Sequence, residues 1–225
     1  MVKQIPQIMI QIQKFTFNPF QENTFVLYDE TKEAVIIDPG CNSSAEHKVL
    51  TDFIEQNDLK VVKLLNTHCH IDHVFGNQFV KDKYNVQLHM HKLDEPTLIA
   101  AKTAADIYQI KPFIESTPDV FVSEEDTIEF GNSSLEILFV PGHAPGHIAF
   151  LHRAQKFVIN GDVLFQGSIG RTDFPGCSHE DLINSIKTKM YTLDDDVTVY
   201  TGHGPETTIG HEKQFNPFVN LQNIG

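Results

Sequence analysis

One short stretch of the chain, NTHCHIDHVFGN at residues 66–77, concentrates side chains of the types that bind metal ions. His68 and His70 are two residues apart, so on an extended backbone both imidazoles project to the same side and can face one ion. Asp72 and His73 lie further round the turn and can face a second ion. Imidazole and carboxylate ligands suit zinc, iron or manganese. The stretch therefore predicts a metal site, although a single motif of this length also arises by chance.

Three later positions share one arrangement, in which a histidine or an aspartate comes after an apolar run. His143 follows LEILFV, Asp162 follows KFVIN, and His203 follows VTVY. The cluster that begins at His68 also follows an apolar run, VVKLLNT. Core packing does not call for His or Asp at four strand ends, where loops leave the edge of a sheet. We therefore predict a metal centre that is built from strand-end loops.

Apolar periodicity predicts the elements that carry these loops in the first half of the chain. Strands are predicted at IMIQIQKFTF, which begins at Ile8, and at NTFVLYD, AVIIDPG and KVVKLLNT. A helix is predicted between the last two strands, with Ser43 or Ser44 as its N-cap. The apolar stripe of this helix consists of Val49, Leu50, Phe53 and Ile54.

The second half of the chain repeats the order of strands followed by helices. VQLHMH predicts a strand, DEPTLIAAKTAADIY a helix, and DTIEFGNSSLEILFV two strands around Gly131 and Asn132. HIAFLHRAQKFVING predicts a hairpin that turns near Arg153 and Ala154, HEDLINSIKTKMYTL a helix, and DVTVYTGHG the last strand. Two batches of strands and helices predict an α/β fold with two sheets packed face to face and helices outside.

Composition bounds the classes of function. The 225 residues suit one domain spanning 1–225, and with 40% of them hydrophobic a sizeable core can form. The formal net charge of −13 argues against a nucleic-acid partner, which needs clustered Lys and Arg. Three cysteines, Cys41, Cys69 and Cys177, show no pairing pattern and favour a reducing cytoplasm. A signal-peptide pattern is absent and no stretch approaches the roughly 18 apolar residues of a membrane span, so we expect a cytoplasmic protein without a membrane partner.

Further motifs connect the chain to a known family. NPFQENTFVL, IDPG, THCHIDHVFGN, PGHAPGH, GDVLFQGSIGRTDFPG and TGHGPETTIGHEKQFNP resemble motifs of the metallo-β-lactamase superfamily, and within it of the glyoxalase II-like branch. The resemblance spans nearly the whole chain and is strongest to short forms that lack a helical C-terminal extension. It implies a four-layer αββα sandwich and a metal-dependent hydrolase.

The resemblance also implies a role for each predicted ligand. His68, His70 and His143 would hold one divalent ion, Asp72, His73 and His203 would hold a second, and Asp162 would bridge them. Two zinc ions are the expected cofactor, with iron and manganese as alternatives. A hydroxide that bridges the ions would attack a small-molecule thioester such as S-D-lactoylglutathione. Asp72 and Asp162 are the carboxylates expected to take part in catalysis.

Relatives with other activities differ from this chain at the same positions. Penicillin-cleaving members commonly have Cys where this chain has Asp162, and flavin-linked diiron members have Glu in place of His70. Nuclease branches carry a further domain, for which 225 residues leave little room. The alternative within this fold is a persulfide dioxygenase, which would bind one iron through His68, His143 and Asp162. A non-enzymatic, metal-stabilised module is disfavoured because structural zinc sites are usually closed and rich in thiolates.

Residues around the expected centre have less specific predicted roles. Asp38 in IIDPG is expected to accept a hydrogen bond from a ligand imidazole, and His147 is expected either to orient a neighbouring ligand or to be structural. Arg171 and Asp173 in GRTDF are expected to support the ligands or to contact substrate. Cys69 lies between two ligands and is expected to pack on the opposite face. The thiol half of the substrate, the identity of the metal and the oligomeric state stay open.

Overall fold

Strands and helices follow one another in the two batches that the sequence predicts. The computed structural model describes residues 9–220. The first batch comprises β1 (Gln11–Phe17), β2 (Glu22–Tyr28), β3 (Glu33–Ile37), α1 (Ser44–Gln56), β4 (Lys60–Leu65), α2 (Ile71–Val74), α3 (Asn77–Tyr84), β5 (Leu88–His91), α4 (Glu95–Ile107) and β6 (Val120–Val122). The second comprises β7 (Thr127–Phe130), β8 (Ser133–Phe139), β9 (Ile148–His152), β10 (Phe157–Ile159), β11 (Leu164–Phe165), β12 (Ser168–Ile169), α5 (His179–Ser185), β13 (Thr198–Tyr200), β14 (Thr207–Thr208) and α6 (Ile209–Phe215).

Two six-stranded sheets organise the described residues. The first has the order β1-β2-β3-β4-β5-β6, the second has the order β14-β13-β10-β9-β8-β7, and β11 and β12 form a separate ribbon. In the first sheet β1, β2 and β3 pair antiparallel, whereas β3, β4, β5 and β6 run parallel. In the second sheet β10 and β13 are parallel. The loops after β3, β4 and β5 therefore leave the first sheet at one edge, the usual place for ligand sites on parallel strands.

Three apolar clusters separate the four layers. The cluster between the sheets includes Val35 and Phe150. A second cluster packs the other face of the first sheet against α1 and α4 through Leu50 and Leu98. A third packs the outer face of the second sheet against α5 through Leu182. This arrangement confirms the predicted αββα sandwich. None of the helices within residues 9–220 is both long enough and apolar enough to cross a membrane.

Helix α1 shows how closely local sequence predicts local structure. Its N-cap is Ser43, whose hydroxyl accepts a hydrogen bond from the Glu46 N–H while the Glu46 carboxylate accepts one from the Ser43 N–H. This reciprocal capping box pairs two amide groups that the helix itself leaves free. Leu50 and Ile54 are buried as predicted, but the prediction for Val49 is wrong, because its side chain is 49% exposed. Val49 precedes Leu50 by one residue, which turns it about 100° away from the buried stripe.

The short elements are where structure and prediction differ. The sequence does not predict β6, the β11–β12 ribbon, α2, α3 or α6, because each is too short to display a clear period. DVTVYTGHG is not the last strand, since β14 follows it and completes the sheet. The helix predicted over HEDLINSIKTKMYTL ends at Ser185 and continues as one π-helical turn at Ile186–Met190. The first strand begins at Gln11, and Ile8 lies outside the described residues.

Candidate metal centre

The predicted ligands lie on loops at one end of the two sheets. In the first sheet Asp38 directly follows β3 and His68 follows β4, and these strands are parallel. In the second sheet Asp162 follows β10 and His203 follows β13, which are also parallel. His143 follows β8, which runs in the same direction as β10 because β9 pairs antiparallel with both. Side chains from both sheets therefore reach a common place.

The first predicted ligand set, His68, His70 and His143, has one ring nitrogen of each residue within 4.8 Å of the others. His70 Nδ1 lies 2.8 Å from His143 Nε2. The Nδ1–H of His143 donates to a backbone carbonyl, which leaves its Nε2 lone pair free for an ion. Cys69 packs away from the set as predicted, with its Sγ 3.7 Å from the sulfur of Met90. The three imidazoles thus converge on one point.

The second predicted set, Asp72, His73 and His203, also has its donor atoms within 4.8 Å of one another. His203 Nε2 lies 3.1 Å from Asp72 Oδ2, and His73 Nε2 lies 3.9 Å from the same oxygen. His73 is fully buried, whereas the His203 side chain is 28% exposed. The second set therefore forms the solvent-facing side of the centre.

Asp162 lies between the two sets. Its Oδ2 is 3.5 Å from His143 Nε2, which belongs to the first set. The same oxygen is 3.6 Å from His73 Nε2 and 3.5 Å from His203 Nε2, which belong to the second. One carboxylate oxygen thus reaches both groups of nitrogens, which is the position that a bridging ligand requires.

Unpaired buried atoms test whether these side chains fit metal ions. Within residues 9–220, His68 Nε2, His73 Nε2 and Asp162 Oδ1 are buried without a hydrogen-bond partner. Unpaired buried polar atoms are rare in folded proteins because they lose their hydration without compensation. Two divalent cations, one in each ligand set, would bind these three atoms, and a set of imidazoles and carboxylates without thiolates suits zinc, iron or manganese. The residues present therefore fit the predicted ions.

Asp38 also lies within ligand distance of His68 and His73, but its oxygens are already engaged. Oδ1 accepts a hydrogen bond from the Thr67 N–H at 2.7 Å, and Oδ2 accepts one from the Thr67 hydroxyl. His73 Nδ1 donates to Oδ2 at 3.2 Å, which leaves His73 Nε2 free to bind an ion. The hydrogen bond predicted between Asp38 and a ligand imidazole is therefore present.

His147 contacts two of the predicted ligands from behind. Its Nε2 accepts a hydrogen bond from the backbone N–H of Asp162 at 3.1 Å. Its ring stacks on that of His68, with centroids 4.6 Å apart and an angle of 14° between the planes. Burial lowers the pKa of His147 well below its usual value, which keeps the accepting nitrogen unprotonated. Of the two roles left open by the sequence, these contacts favour orientation of Asp162.

The GRTDF loop contacts the centre through its backbone and not through its charges. The carbonyl of Arg171 accepts the hydrogen bond from His143 Nδ1 at 2.8 Å. The guanidinium of Arg171 instead binds both oxygens of Asp173 at 2.7 Å and lies 4.0 Å from the centre of the Phe174 ring. Both charged side chains are exposed. Arg171 therefore supports a ligand through its main chain, and Asp173 does so only by holding Arg171.

The two ligand sets differ in the direction of their pKa shifts. Burial and neighbouring imidazoles lower the pKa of His68 well below its usual value, and that of His70 to about 3. Burial also acts to lower the pKa of His73, but Asp162 and Asp72 outweigh burial and raise it well above its usual value. Neutral imidazole is the form that binds metal ions. The first set is therefore unprotonated before binding, whereas in the second set an ion replaces a proton.

Two buried carboxyl groups behind the ligands are missed by the sequence predictions. Glu22 opens β2, with its Oε1 4.0 Å from His73 Nδ1 and its Oε2 accepting a hydrogen bond from Thr24 at 2.8 Å. Burial raises the pKa of Glu22 well above its usual value. Asp94 follows β5 and accepts a hydrogen bond from the N–H of Cys69. Asp94 stands at a strand end, and Glu22 places a charge directly before the predicted strand NTFVLYD; these two positions are the only signals in the sequence.

Aromatic side chains border the open side of the centre. Phe20 and Tyr108 are 37% and 48% exposed, and their rings meet edge to face with centroids 5.5 Å apart. The Phe20 carbonyl accepts a hydrogen bond from His203 Nδ1 at 3.1 Å. On another side, the ring of Phe174 lies 5.0 Å from that of His70. These rings offer apolar surface beside both ligand sets.

Comparisons with known proteins agree with this geometry. The sequence profile of the metallo-beta-lactamase superfamily matches residues 17–203, a range that contains every predicted ligand. Over 203 residues the chain is 40% identical to the Haemophilus influenzae protein named Hydroxyacylglutathione hydrolase GloC, with 89% of this chain and 94% of that protein covered. BLEG-1, described as a B3 metallo-beta-lactamase, is 33% identical with a TM-score of 0.85, covering 93% of this chain and 99% of its own. TTHA1623 in a di-iron-bound form is 32% identical with a TM-score of 0.82, covering 92% of this chain and 100% of its own.

Proposed function

The chain belongs to the metallo-beta-lactamase superfamily, and we propose that this metallo-hydrolase cleaves thioesters of the S-D-lactoylglutathione type. The observation that carries the proposal is the position of Asp162 Oδ2, within 3.6 Å of histidine nitrogens from both ligand sets. The name of the 40% identical relative, a hydroxyacylglutathione hydrolase, supports a thioester as the substrate.

Seven side chains would hold two divalent ions. The first ion would be bound by His68, His70 and His143, the second by Asp72, His73 and His203, and both by Asp162. Bound there, such ions supply an activated water and polarise an acyl oxygen. Zinc is the first expectation, and the di-iron form of the 32% identical TTHA1623 supports iron as the alternative.

The charge of Asp162 defines its part in the reaction. Burial acts to raise its pKa, but His73, His203 and His143 outweigh burial and hold the pKa far below its ordinary range. Asp162 therefore stays ionised at neutral pH and fixes the separation of the two ligand sets, instead of carrying a proton. Asp72 Oδ2 and His203 Nε2 lie 3.1 Å apart, and both atoms would face the second ion.

A thioester suits a centre that offers no side-chain nucleophile and no strong general acid. Hydrolysis forms a bond between the acyl carbon and a water oxygen and breaks the bond between that carbon and sulfur. The departing thiol has an ordinary pKa of about 8.5, so it leaves as a thiolate with little need of protonation. Such a leaving group needs no strong general acid, which agrees with an ionised Asp162 and neutral imidazoles in the first ligand set.

The open side of the centre favours an enzyme over a structural metal module. The side chains of Asp72 and His203 are 14% and 28% exposed, and structural zinc sites are usually closed. Phe20, Tyr108 and Phe174 border this opening and would pack against the thiol half of the substrate. The rim thus provides surface for a bound small molecule.

The cysteines support the proposed cytoplasmic location. Within residues 9–220, Cys41, Cys69 and Cys177 are all free. Cys41 and Cys69 are buried, and Cys177 donates a hydrogen bond from its Sγ to the carbonyl of His143 at 2.8 Å. A chain with unpaired thiols in contact with its functional loops suits a reducing compartment.

The decisive experiment is thiol release from S-D-lactoylglutathione by protein loaded with zinc, and separately with iron or manganese. Wild type should release thiol, and His68→Ala should not. His152→Ala is the matched control, because His152 lies at the opposite end of β9 from the centre and should leave the rate unchanged.

Two results would contradict the proposal. Equal rates for wild type and His68→Ala would show that the centre does not cleave the thioester. Oxygen uptake with glutathione persulfide by the iron form, without thioester cleavage, would establish the persulfide dioxygenase alternative. That reaction would use only His68, His143 and Asp162 and would leave the second set without a role.

A further inference from the structure

Asp94 is a fully buried carboxylate that belongs to neither ligand set. It lies in a 3₁₀ turn, Lys92–Asp94, that connects β5 to α4. Because β5 is parallel to β4 and β3, Asp94 leaves the sheet at the same edge as the ligand loops. Its hydrogen bonds, however, come from two backbone amides and one threonine hydroxyl, and not from the ligand side chains. A buried acid in this place therefore needs another explanation.

Each oxygen of Asp94 binds a different ligand-bearing loop. Oδ2 accepts a hydrogen bond from the N–H of Cys69, which lies between the first two ligand histidines. Oδ1 accepts one from the N–H of Gly146 at 3.2 Å, three residues beyond His143. A single side chain thus contacts the loops that carry all three members of the first ligand set.

The carboxylate is itself held firmly. The Thr97 hydroxyl, in the first turn of α4, donates a hydrogen bond to Oδ1 at 3.0 Å. A Cβ atom at Gly146 would lie 2.3 Å from the Asp94 backbone nitrogen, so only glycine permits this approach. Leu98, on the same helix, is buried in the adjacent core. Asp94 therefore acts as a fixed point against which two loops are set.

We propose that Asp94 is a positioning residue that sets the distance between these two loops and thereby the affinity of the first ligand set for its ion. His70 Nδ1 and His143 Nε2 face each other across the loops at 2.8 Å, so a shift of either loop changes their convergence directly. The second set lies on α2 and on the loop after β13, whereas the hydrogen bonds of Asp94 go to Cys69, Gly146 and Thr97. The proposal rests on the metal-binding part of the proposed function.

The test measures bound metal instead of thioester cleavage, so it separates this proposal from the substrate assignment. Asp94→Asn keeps the size of the side chain but turns an amide NH2 group against a backbone N–H, which releases one loop. Zinc content is followed by mass spectrometry during dialysis against graded chelator. We expect the ion of the first set to bind about 10- to 100-fold more weakly and the ion of the second set to bind unchanged.

A double-mutant cycle shows which of the two ligand sets loses affinity for zinc in Asp94→Asn. In a His143→Ala background the first set is already disabled, so Asp94→Asn should have no further effect on zinc binding. In a His203→Ala background it should retain its full effect. Asp29→Asn removes the charge of a buried carboxylate at the opposite end of the sandwich and should leave both ions bound as in wild type.

Thr97→Val provides a second variant in case Asp94→Asn fails to fold, because it removes only the donor that fixes the carboxylate. It should weaken the binding of the first-set ion by a smaller factor and leave the binding of the second-set ion unchanged. Unchanged zinc binding in the folded variant, or equal weakening of both ions, would overturn the positioning role. Wild type that binds no metal would overturn the proposed function as well.

Discussion

The two ends of the sandwich both bury polar side chains, but they do so in opposite ways. At the end away from the ligands, Asp29 lies between β2 and β3 and accepts hydrogen bonds from the N–H and hydroxyl of Thr31. It also accepts one from the N–H of Asn132 at 2.7 Å and one from the hydroxyl of Ser133 at 2.8 Å. Asn132 lies in the turn between β7 and β8 and Ser133 is the first residue of β8, so this closed polar cluster joins the two sheets.

At the ligand end, polar atoms converge without pairing. His68 Nε2, His73 Nε2 and Asp162 Oδ1 are buried and lack a hydrogen-bond partner within the described part of the chain. A closed cluster, whose polar atoms all pair within the chain, stabilises the folded state. A cluster with unpaired atoms costs stability, which a bound ligand can restore. Convergence of unpaired atoms, more than burial of charge, therefore distinguishes the binding end from the structural end.

The largest contrast is expected between Asp162→Asn and Asp29→Asn, which make the same chemical change at the two ends. Asp162→Asn removes the charge that holds the two ligand sets together and should lower kcat by about 10³-fold, the upper scale for loss of one electrostatic contact in an active site. Asp29→Asn should keep kcat within about twofold, a small change on that scale. Steady-state kinetics of both variants on the thioester measure the contrast. Similar losses in the two variants would erase the distinction between the ends.

Metal removal should act on one end only. Zinc at about 100 times its Kd is expected to raise the unfolding free energy of wild type by about 2.7 kcal/mol over the metal-free form, because the folded state alone binds it. The gain should disappear in Asp162→Asn and persist in Asp29→Asn. Chemical denaturation with zinc and with chelator measures the difference. A gain that Asp162→Asn retains would place the stabilising ion elsewhere.

Removal of the Asp29 carboxylate, at the end away from the ligands, should lower stability without changing metal binding or activity. Asp29→Ala leaves the N–H groups of Thr31 and Asn132 without their acceptor and should cost about 2 kcal/mol of unfolding free energy. Zinc content and kcat should stay at wild-type values, measured well below the melting temperature. Loss of zinc in this variant would mean that the two ends are coupled through the sheets.

The same contrast explains which residues sequence can predict. The ligands stand out because His and Asp interrupt apolar runs at strand ends, and such residues need a reason to be there. Asp29 gives no such signal, since an aspartate in YDETK resembles any surface turn. Its partner Asn132 lies 103 residues away, and only the packing of the two sheets brings them together. Asp94 does stand at a strand end, but it also begins the predicted helix DEPTLIAAKTAADIY, and its role becomes visible only when Cys69 is placed beside it.

The fold likewise has parts that the sequence predicts and parts that it does not. Runs such as AVII and KVVKLL predict buried strands because their apolar character is local, and the two sheets follow from their order. The neighbours within a sheet do not follow: β13 pairs with β10, and β14 pairs with β13 through two residues only. Such pairings depend on contacts between distant segments. Short strands and sheet order therefore stay beyond what periodicity reveals.

The smallest expected effect is a dependence of stability on pH that belongs to the closed end. Burial acts to raise the pKa of Asp29, but hydrogen bonds from Thr31, Ser133 and Asn132 outweigh burial and lower the pKa below its ordinary value. The unfolded chain therefore binds the proton more readily, with a pKa of about 3.9. The charge of Asp29 should contribute its full stability above that pH and lose it as pH falls through the folded value.

The measurement is the unfolding free energy of metal-free wild type minus that of metal-free Asp29→Asn, followed from pH 7 downward. The difference should be constant near neutrality and should shrink in acid, and it should stay below the cost of Asp29→Ala because the amide oxygen still accepts a hydrogen bond. Metal-free protein is required, since ion release from the histidines at low pH would otherwise dominate. A difference that grows in acid would mean that Asp29 is held as a protonated carboxyl group, and the closed end would then need a different description.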